Sequence, residues 1–600
     1  MKNTYTLKPH LCRFSKFYKK DSAEVPSALF EVKCEAPDLS DFPLPLPSRK
    51  SDYCCYVQAA DGAMWYGASN GLTRYDSKAE RKADAVMYFS ADRDLPDNSV
   101  KALYADEKGV WVLTENGVTL IELRMISARE KADILLEETT KYVDRRGMIT
   151  QKHLAVPGDV TSAFPYGHSD NDGCFTASFT MGELYRYAVL KREKGADHPE
   201  TLKAKAVATR SAEAVLLLTY IHGRGNGFVA RTYLCADEPL PDDGLFFRKT
   251  GGKATCLKTS FAEKKGISGL EIDASAPIPD RLAHLYKDLG YTDDDIVYKA
   301  DTSSDEISTH YLFMLVAHEI LGEDDPELDA IIKETVIRIT DFIIDNGYQL
   351  LDYSGEPTTW AKWNTEYFET PFGWVDACLN SAEMLMYLKV AMAIAGKEER
   401  WQKSYEELIE KGYADLPMKH FDRLYQSCLS MGCAFEEEIM YGDHMLATVS
   451  LFGLCTLEKD EELLAKYRKA YKTWRTSIAR EHNPGYDFPY AVACPDEELD
   501  MDTIATWFYR TNASRLAAGV SLVGRKDVAV IRHSEEYKEV AGVLPPDECF
   551  ISKYDRNTLE YKNEDSGGLN VVESCYVYSY AYWMGRYYGF IKDEGENING

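Results

Sequence analysis

From about residue 170 onward, the chain alternates two kinds of helical segment. This alternation constrains the fold more than any other feature of the sequence. Amphipathic periodicity recurs at roughly 178–194, 202–220, 306–321, 326–346, 379–396, 399–412, 444–457, 460–479, 503–520 and 574–590. Several of these segments fall in close pairs. The first member is apolar throughout, as in NSAEMLMYLKVAMAIAG. The second opens on acidic residues, as in GEDDPELDA, GKEERWQK and EKDEELLA. A helix that is apolar on all sides must be buried, whereas one with an acidic opening and one apolar stripe lies outside it. Inner-then-outer alternation over five or six pairs predicts a mainly α fold, an (α/α)6 toroid. An open solenoid is the competing arrangement, but its repeats are uniform in length. The irregular insertions at 221–300 and 347–378 favour closure.

The N-terminal part reads differently. DGAMWYGASNGLTRYD (61–76) and EKGVWVLTENGVTLIEL (107–123) each present a turn, a strand with an inward Trp, an Asn-Gly turn and a return strand. Trp65 and Trp111 stand 46 residues apart, as do the two Asn-Gly pairs. The pattern resembles the propeller repeats of two-component sensor proteins. With two copies, it implies a small β-rich domain over residues 1–130, with core Trp residues, beside a helical domain over 131–600.

Composition excludes several partners. The 97 acidic side chains outnumber 69 basic ones, for a net charge of -28. Such a surface repels nucleic acid and anionic membranes. The N-terminus lacks the apolar region of a secretory signal, and no apolar run of membrane-spanning length is expected. Fourteen Cys show no CxxC or framework spacing, and one adjacent pair occurs, Cys54-Cys55. That reads as reduced thiols and a cytoplasmic location. The 40 Tyr fit a surface that stacks on neutral sugars. No metal or cofactor is expected. His318-Glu319 lacks the second His of a zinc helix, Asp293–Asp295 lack calcium-loop spacing, and IHGRGNGF follows a helix rather than a strand.

Four inner-type helices are preceded by polar segments with carboxylates. HSDNDGCF supplies Asp170, Asn171 and Asp172. ADTSSDEIS supplies Asp301, Asp305 and Glu306. TPFGWVDACLNSAEM supplies Trp374, Asp376 and Asn380. MYGDHMLAT supplies Tyr441, Asp443 and His444. In a toroid these helix starts converge on one funnel. Two carboxylates there are what acid/base cleavage of a glycosidic bond requires. Asp305 or Glu306 is expected as the acid, and Asp172 or Asp443 as its partner. The same residues also suit helix caps. Trp360 and Trp363, with Asn364, form a sugar platform or a lid anchor. Arg231 is the basic residue for an anionic group. Asp170, Asn171, Asp301, Trp374, Asn380, Tyr441 and His444 complete the expected binding set, and Glu573 opens the last inner helix.

HSDNDG, DTSSDE, DYSGEPTTWAKW, LNSAEMLMYLKVAMAIAG and YWMGRYYGFI together resemble a group of bacterial proteins. These carry sensor-type propeller repeats and a six-hairpin α/α barrel related to carbohydrate-active enzymes. The resemblance spans about residues 50–590 and implies a carbohydrate substrate. A glycoside hydrolase without a cofactor is the first expectation. A polysaccharide lyase or unsaturated-uronide hydrolase is the alternative, using His444, Tyr441 and Arg231. A non-catalytic glycan-binding protein is the third. Asp443-His444 departs from the acidic pair the resemblance leads one to expect, which leaves the role of Asp443 open.

Overall fold

The computed structural model describes residues 3–91, 93–164, 170–396, 398–419, 440–515, 520, 522–532, 538–549, 553–554, 557–561 and 568–595. Among the described residues, twelve helices reach ten residues or more. They are α1 (Ala128–Glu138), α2 (Asp172–Lys194), α3 (Pro199–Leu217), α4 (Ser304–Leu321), α5 (Pro326–Asp345) and α6 (Pro371–Ala395). They continue with α7 (Glu399–Glu410), α8 (Tyr441–Leu457), α9 (Glu461–Arg475), α10 (Pro484–Ala493), α11 (Met501–Arg510) and α12 (Tyr576–Tyr587).

The even-numbered helices form a cycle. α2 packs on α4, α4 on α6, α6 on α8, α8 on α10, α10 on α12, and α12 back on α2. These helices are apolar nearly all round; only the odd-numbered ones keep a wet face. α3 covers α2, α5 covers α4 and α6, α7 covers α6, α9 covers α8, and α1 covers α12. Side chains from the even helices fill the centre, including Phe175, Phe313, Leu385, Phe452, Phe488 and Tyr578. α2 approaches α12 closely at Gly182, where a Cβ would meet the backbone nitrogen of Tyr580 at 2.9 Å. Among the described residues, only α6 is long and apolar enough to cross a membrane. This departs from the expectation of no such stretch, but 89% of its most apolar window is buried inside the protein.

Three of the helices differ from the sequence reading, α1 because it precedes every segment read as helical. α10 carries no helical signal, because Pro484, Gly485 and Pro489 interrupt it. α11 stops at Arg510 rather than near 520, and Thr511 turns extended. The buried ammonium of Lys131, on α1, takes the carbonyls of Phe508, Tyr509 and Thr511 at 2.8, 2.9 and 2.7 Å. It thereby satisfies the open end of that helix.

The insertion at 221–300 is ordered rather than irregular. Thr232–Cys235, Ile296–Lys299, Phe246–Thr250, Lys253–Cys256 and Glu271–Asp273 form a five-stranded antiparallel sheet in that spatial order. In the second insertion, Gln349–Leu351 pairs with Pro357–Lys362.

Toward the N-terminus lie two four-stranded antiparallel sheets. One is a meander of Tyr53–Gln58, Met64–Ala68, Gly71–Tyr75 and Val86–Phe89. The other joins Val100–Asp106, Gly109–Thr114 and Val118–Ile126 with His10–Tyr18 along its edge. Trp65 and Trp111 occupy the second strand of each sheet and are buried. The sheets are tied to the helices by a parallel pairing of Tyr5–Leu7 with Ile591–Asp593. A buried charge network ties them again. Arg13 pairs with Asp94 at 3.0 Å and with Asp547, while Arg510 holds Asp547 at 2.7 Å and Glu548 at 2.9 Å.

Candidate active site at the helix N-termini

The starts of α2, α4, α6 and α8 bring carboxylates together. Asp170, just before α2, keeps its side chain about half exposed, and its carboxylate is ion-paired with the buried Lys299 ammonium. Lys299 comes from the five-stranded sheet and also reaches Asp243 at 3.2 Å. Asn171, with its amide turned to suit both neighbours, donates to the Asp170 carbonyl at 3.2 Å and to the Asp305 carboxyl at 3.0 Å. Asp305, in the first turn of α4, is half-buried. Burial pushes its carboxyl up; Arg231 opposes the shift and Asp170 adds to it.

Asp443, in the first turn of α8, is also half-buried. Burial, with Asp376 adding, pushes its carboxyl up to about 7. Asp376 on α6 is itself raised by burial and accepts from the Tyr367 hydroxyl at 2.5 Å. Behind them lies Glu383, a buried residue in the middle of α6. Trp363 Nε1 donates to it at 2.7 Å and the Ser308 hydroxyl at 2.9 Å. Burial nevertheless pushes it up to about 8, with Asp443 and Asp305 adding. Carboxylates from α4, α6 and α8 therefore act on one another, and α4 is linked in turn to Asp170. Each raised group stays neutral to a higher pH than its ordinary range, Asp443 to about 7 and Glu383 to about 8.

Two of the expected catalytic residues lie too deep to react. The Asp172 carboxylate is buried and clamped by Arg145 at 2.8 Å and Thr232 at 2.5 Å. Glu306 has no exposed surface, and neither carboxyl oxygen has a hydrogen-bond partner. Burial, then Asp305, raise it well above the ordinary carboxylate range. Gly173 makes room for it, since a Cβ there would lie 2.1 Å from Glu306 Oε2.

Several expected binding residues serve as struts. Trp363 is fully buried and donates to Glu383, so it offers no face to a sugar. Asn364 caps the short helix Thr365–Phe368 and donates to Gly347 O at 3.2 Å. Asn380 donates to Lys362 O at 2.8 Å. The Tyr441 hydroxyl is bonded to Glu481. His444 is buried edge-on against Trp474, with ring centroids 5.2 Å apart, and burial pulls it down to about 4. The Arg231 guanidinium donates to backbone carbonyls, Asp170 O at 2.8 Å and Asp301 O at 3.4 Å. Asp301 adopts a left-handed backbone, φ 64°, and accepts from the Thr359 amide and hydroxyl, both at 3.1 Å. It thereby anchors the hairpin that carries Trp360. Trp360 itself is 57% exposed, and Trp374 is half-buried in the first turn of α6.

Glu383 was not expected, although a lone acid inside AEMLMYLK is the signal that could have exposed it. Arg145, Thr232 and Lys299 carry no such signal; the sheet brings in Thr232 and Lys299, and Arg145 reaches Thr232 from the turn it forms with Met148. Among the described residues, no group of three or more His, Cys, Asp or Glu is placed to hold a metal ion.

No protein-family model and no curated protein matches the chain. Among solved structures it is similar to GH family 9 endoglucanase J30, at 9% identity and a TM-score of 0.37, covering 81% of this chain and 93% of that one. It is also similar to a Bacteroides ovatus GH9 protein, at 8% identity and a TM-score of 0.34, covering 88% of this chain and 96% of that one.

Proposed function

We propose that the cycle of even helices is an (α/α)6 toroid and that the protein is a glycoside hydrolase acting on an oligosaccharide or glycoside. Asp443 is the proton donor, and Asp170 is the ionised partner that activates water. One observation carries the reading: two accessible carboxylates at the same end of the helix cycle sit in opposite environments. Burial raises Asp443 to about 7, while Asp170 is ion-paired with Lys299. Environments that drive two carboxyls apart assign the acid and the base. α2 and α8 stand three steps apart in the cycle, so the two groups approach a bound sugar from opposing sides. Asp305 lies next to Asp170 and shares its field. Asp376 adds to the burial that keeps Asp443 neutral. Trp360 offers its ring at the rim to a pyranose face.

The test is reducing-sugar release from a panel of glycosides and oligosaccharides, with Asp443→Asn and Asp170→Asn beside the parent. The expected loss is about 10²–10⁴-fold in kcat for Asp443→Asn, the range for general acid catalysis. Parent activity should fall as pH rises through about 7, where Asp443 loses its proton. Turnover that survives both substitutions would remove these two residues from the chemistry. Binding of glycans without cleavage would make the protein a binding module, and an unsaturated, ultraviolet-absorbing product would make it a lyase.

A further inference from the structure

Cys54 and Cys55 play no part in the proposed reaction, yet the fold places a third thiol beside them. Neighbouring side chains on a regular strand face opposite sides. Here the register of Tyr53–Gln58 against Met64–Ala68 shifts between Tyr53 and Cys55, a bulge at Cys54. A bulge re-aims the side chain of its extra residue. The sulfurs of Cys54 and Cys55 consequently lie 3.9 Å apart. Cys54 Sγ also sits 3.3 Å from the Val100 carbonyl oxygen. Cys34, from the lead-in segment, sits 3.2 Å from the next carbonyl oxygen along, that of Lys101. Cys34 is close enough for its thiol to interact with both Cys54 and Cys55.

Among the twelve described cysteines, only Cys34 and Cys54 are exposed. Cys34 and Cys54 are thus the two surface thiols of the cluster, and Cys55 is the buried one. The Cys55 thiol, donating to Cys54, holds it down at about 7 against the opposing effect of burial, and Lys101 adds to the stabilisation. An accessible thiolate beside a second thiol is the arrangement of a reversibly oxidised site.

We propose that Cys54 and Cys34 form a peroxide-reactive dithiol site that closes to a disulfide. The Cys54 thiolate attacks one oxygen of hydrogen peroxide. The O–O bond breaks, Cys54 becomes a sulfenic acid, and the other oxygen leaves as hydroxide, which takes a proton to give water. The Cys34 sulfur then attacks the Cys54 sulfur. The S–O bond breaks, water leaves with the Cys34 proton, and a disulfide remains. Peroxide is reduced by two electrons and the dithiol is oxidised by two. The bond ties the lead-in segment, whose Leu39 and Leu46 pack on Tyr53, Tyr66 and Ala68, to the first sheet.

The full-length protein is treated with hydrogen peroxide and examined by mass spectrometry of the intact chain and its peptides. The expected result is loss of two hydrogens, one cross-linked peptide pair joining Cys34 to Cys54, and reversal by a dithiol reductant. Cys34→Ser should stall at a sulfenic acid on Cys54 that dimedone traps, and Cys54→Ser should abolish the reaction. The pH dependence of Cys54 alkylation should have a midpoint near 7, rising in Cys55→Ala. A Cys54–Cys55 bond, a bond elsewhere, or unchanged reactivity in Cys54→Ser would overturn the proposal.

Discussion

Two regions of this molecule bury charged side chains, and they do so in opposite ways. At the junction of sheets and helices, the buried acids Asp94, Asp547 and Glu548 each have a guanidinium. Asp547 accepts from both Arg13 and Arg510, and Glu548 accepts from Arg510 at 2.9 Å and Arg525 at 2.8 Å. On the inner helices, Glu306, Glu383 and Asp443 are held near other acids, and burial raises all three. Burial alone also raises Asp547, but Arg13 and Arg510 outweigh it and hold it low. The junction keeps its acids charged and acts as a fastener. The inner-helix acids stay protonated to a higher pH than an ordinary carboxylate. A buried acid is therefore a poor guide to function until its partners are known.

The contrast is broken most forcefully at Arg510. Arg510→Met strips Asp547 and Glu548 of a shared partner and should cost about 3–5 kcal/mol, read by chemical denaturation. The same substitution should leave the protonation of Asp443 unchanged. If stability holds, the junction network is not a fastener.

The two regions should also differ in the sign of their pH dependence. Glu383 is raised in the folded state, to about 8, so the unfolded chain gives up this proton first as pH rises. Its stabilisation is complete below the ordinary glutamate range and is lost as pH rises through about 8. Asp547 is lowered in the folded state, so its contribution is present at neutral pH and is lost on acidification. Glu383→Gln should flatten the decline in melting temperature between the ordinary glutamate range and about pH 8, and leave the Asp547 loss at lower pH unchanged. A decline of the same slope in the variant would mean that Glu383 is charged at neutral pH.

The smallest effect is expected at the rim. Trp360 is 57% exposed, so Trp360→Ala should shift stability by no more than about 0.5 kcal/mol. Oligosaccharide affinity, measured by calorimetry, should nevertheless fall. An unchanged affinity would move the sugar platform elsewhere.

Sequence legibility followed the range of the forces involved. Helix pairs such as α4–α5, α6–α7 and α8–α9 were readable because their periodicity is local. The hairpins around Trp65 and Trp111 were readable because Asn-Gly turns specify them within a few residues. α10 was missed because Pro489 argues locally against a helix that its neighbours α8 and α12 support. The five-stranded sheet was missed because its strands are short and pair out of order.

The sequence by itself determined which helices are apolar all round, which open on acids, and that carboxylates precede four of the inner type. Those are properties of single segments. Only the tertiary structure decided which of those acids are spent. Asp172 is clamped by Arg145 and Thr232. Asp170 is ion-paired with a lysine more than a hundred residues away, and burial raises Glu383 despite its hydroxyl and indole donors. Protonation depends on the few ångströms around a group, and residues distant in the chain fill that space.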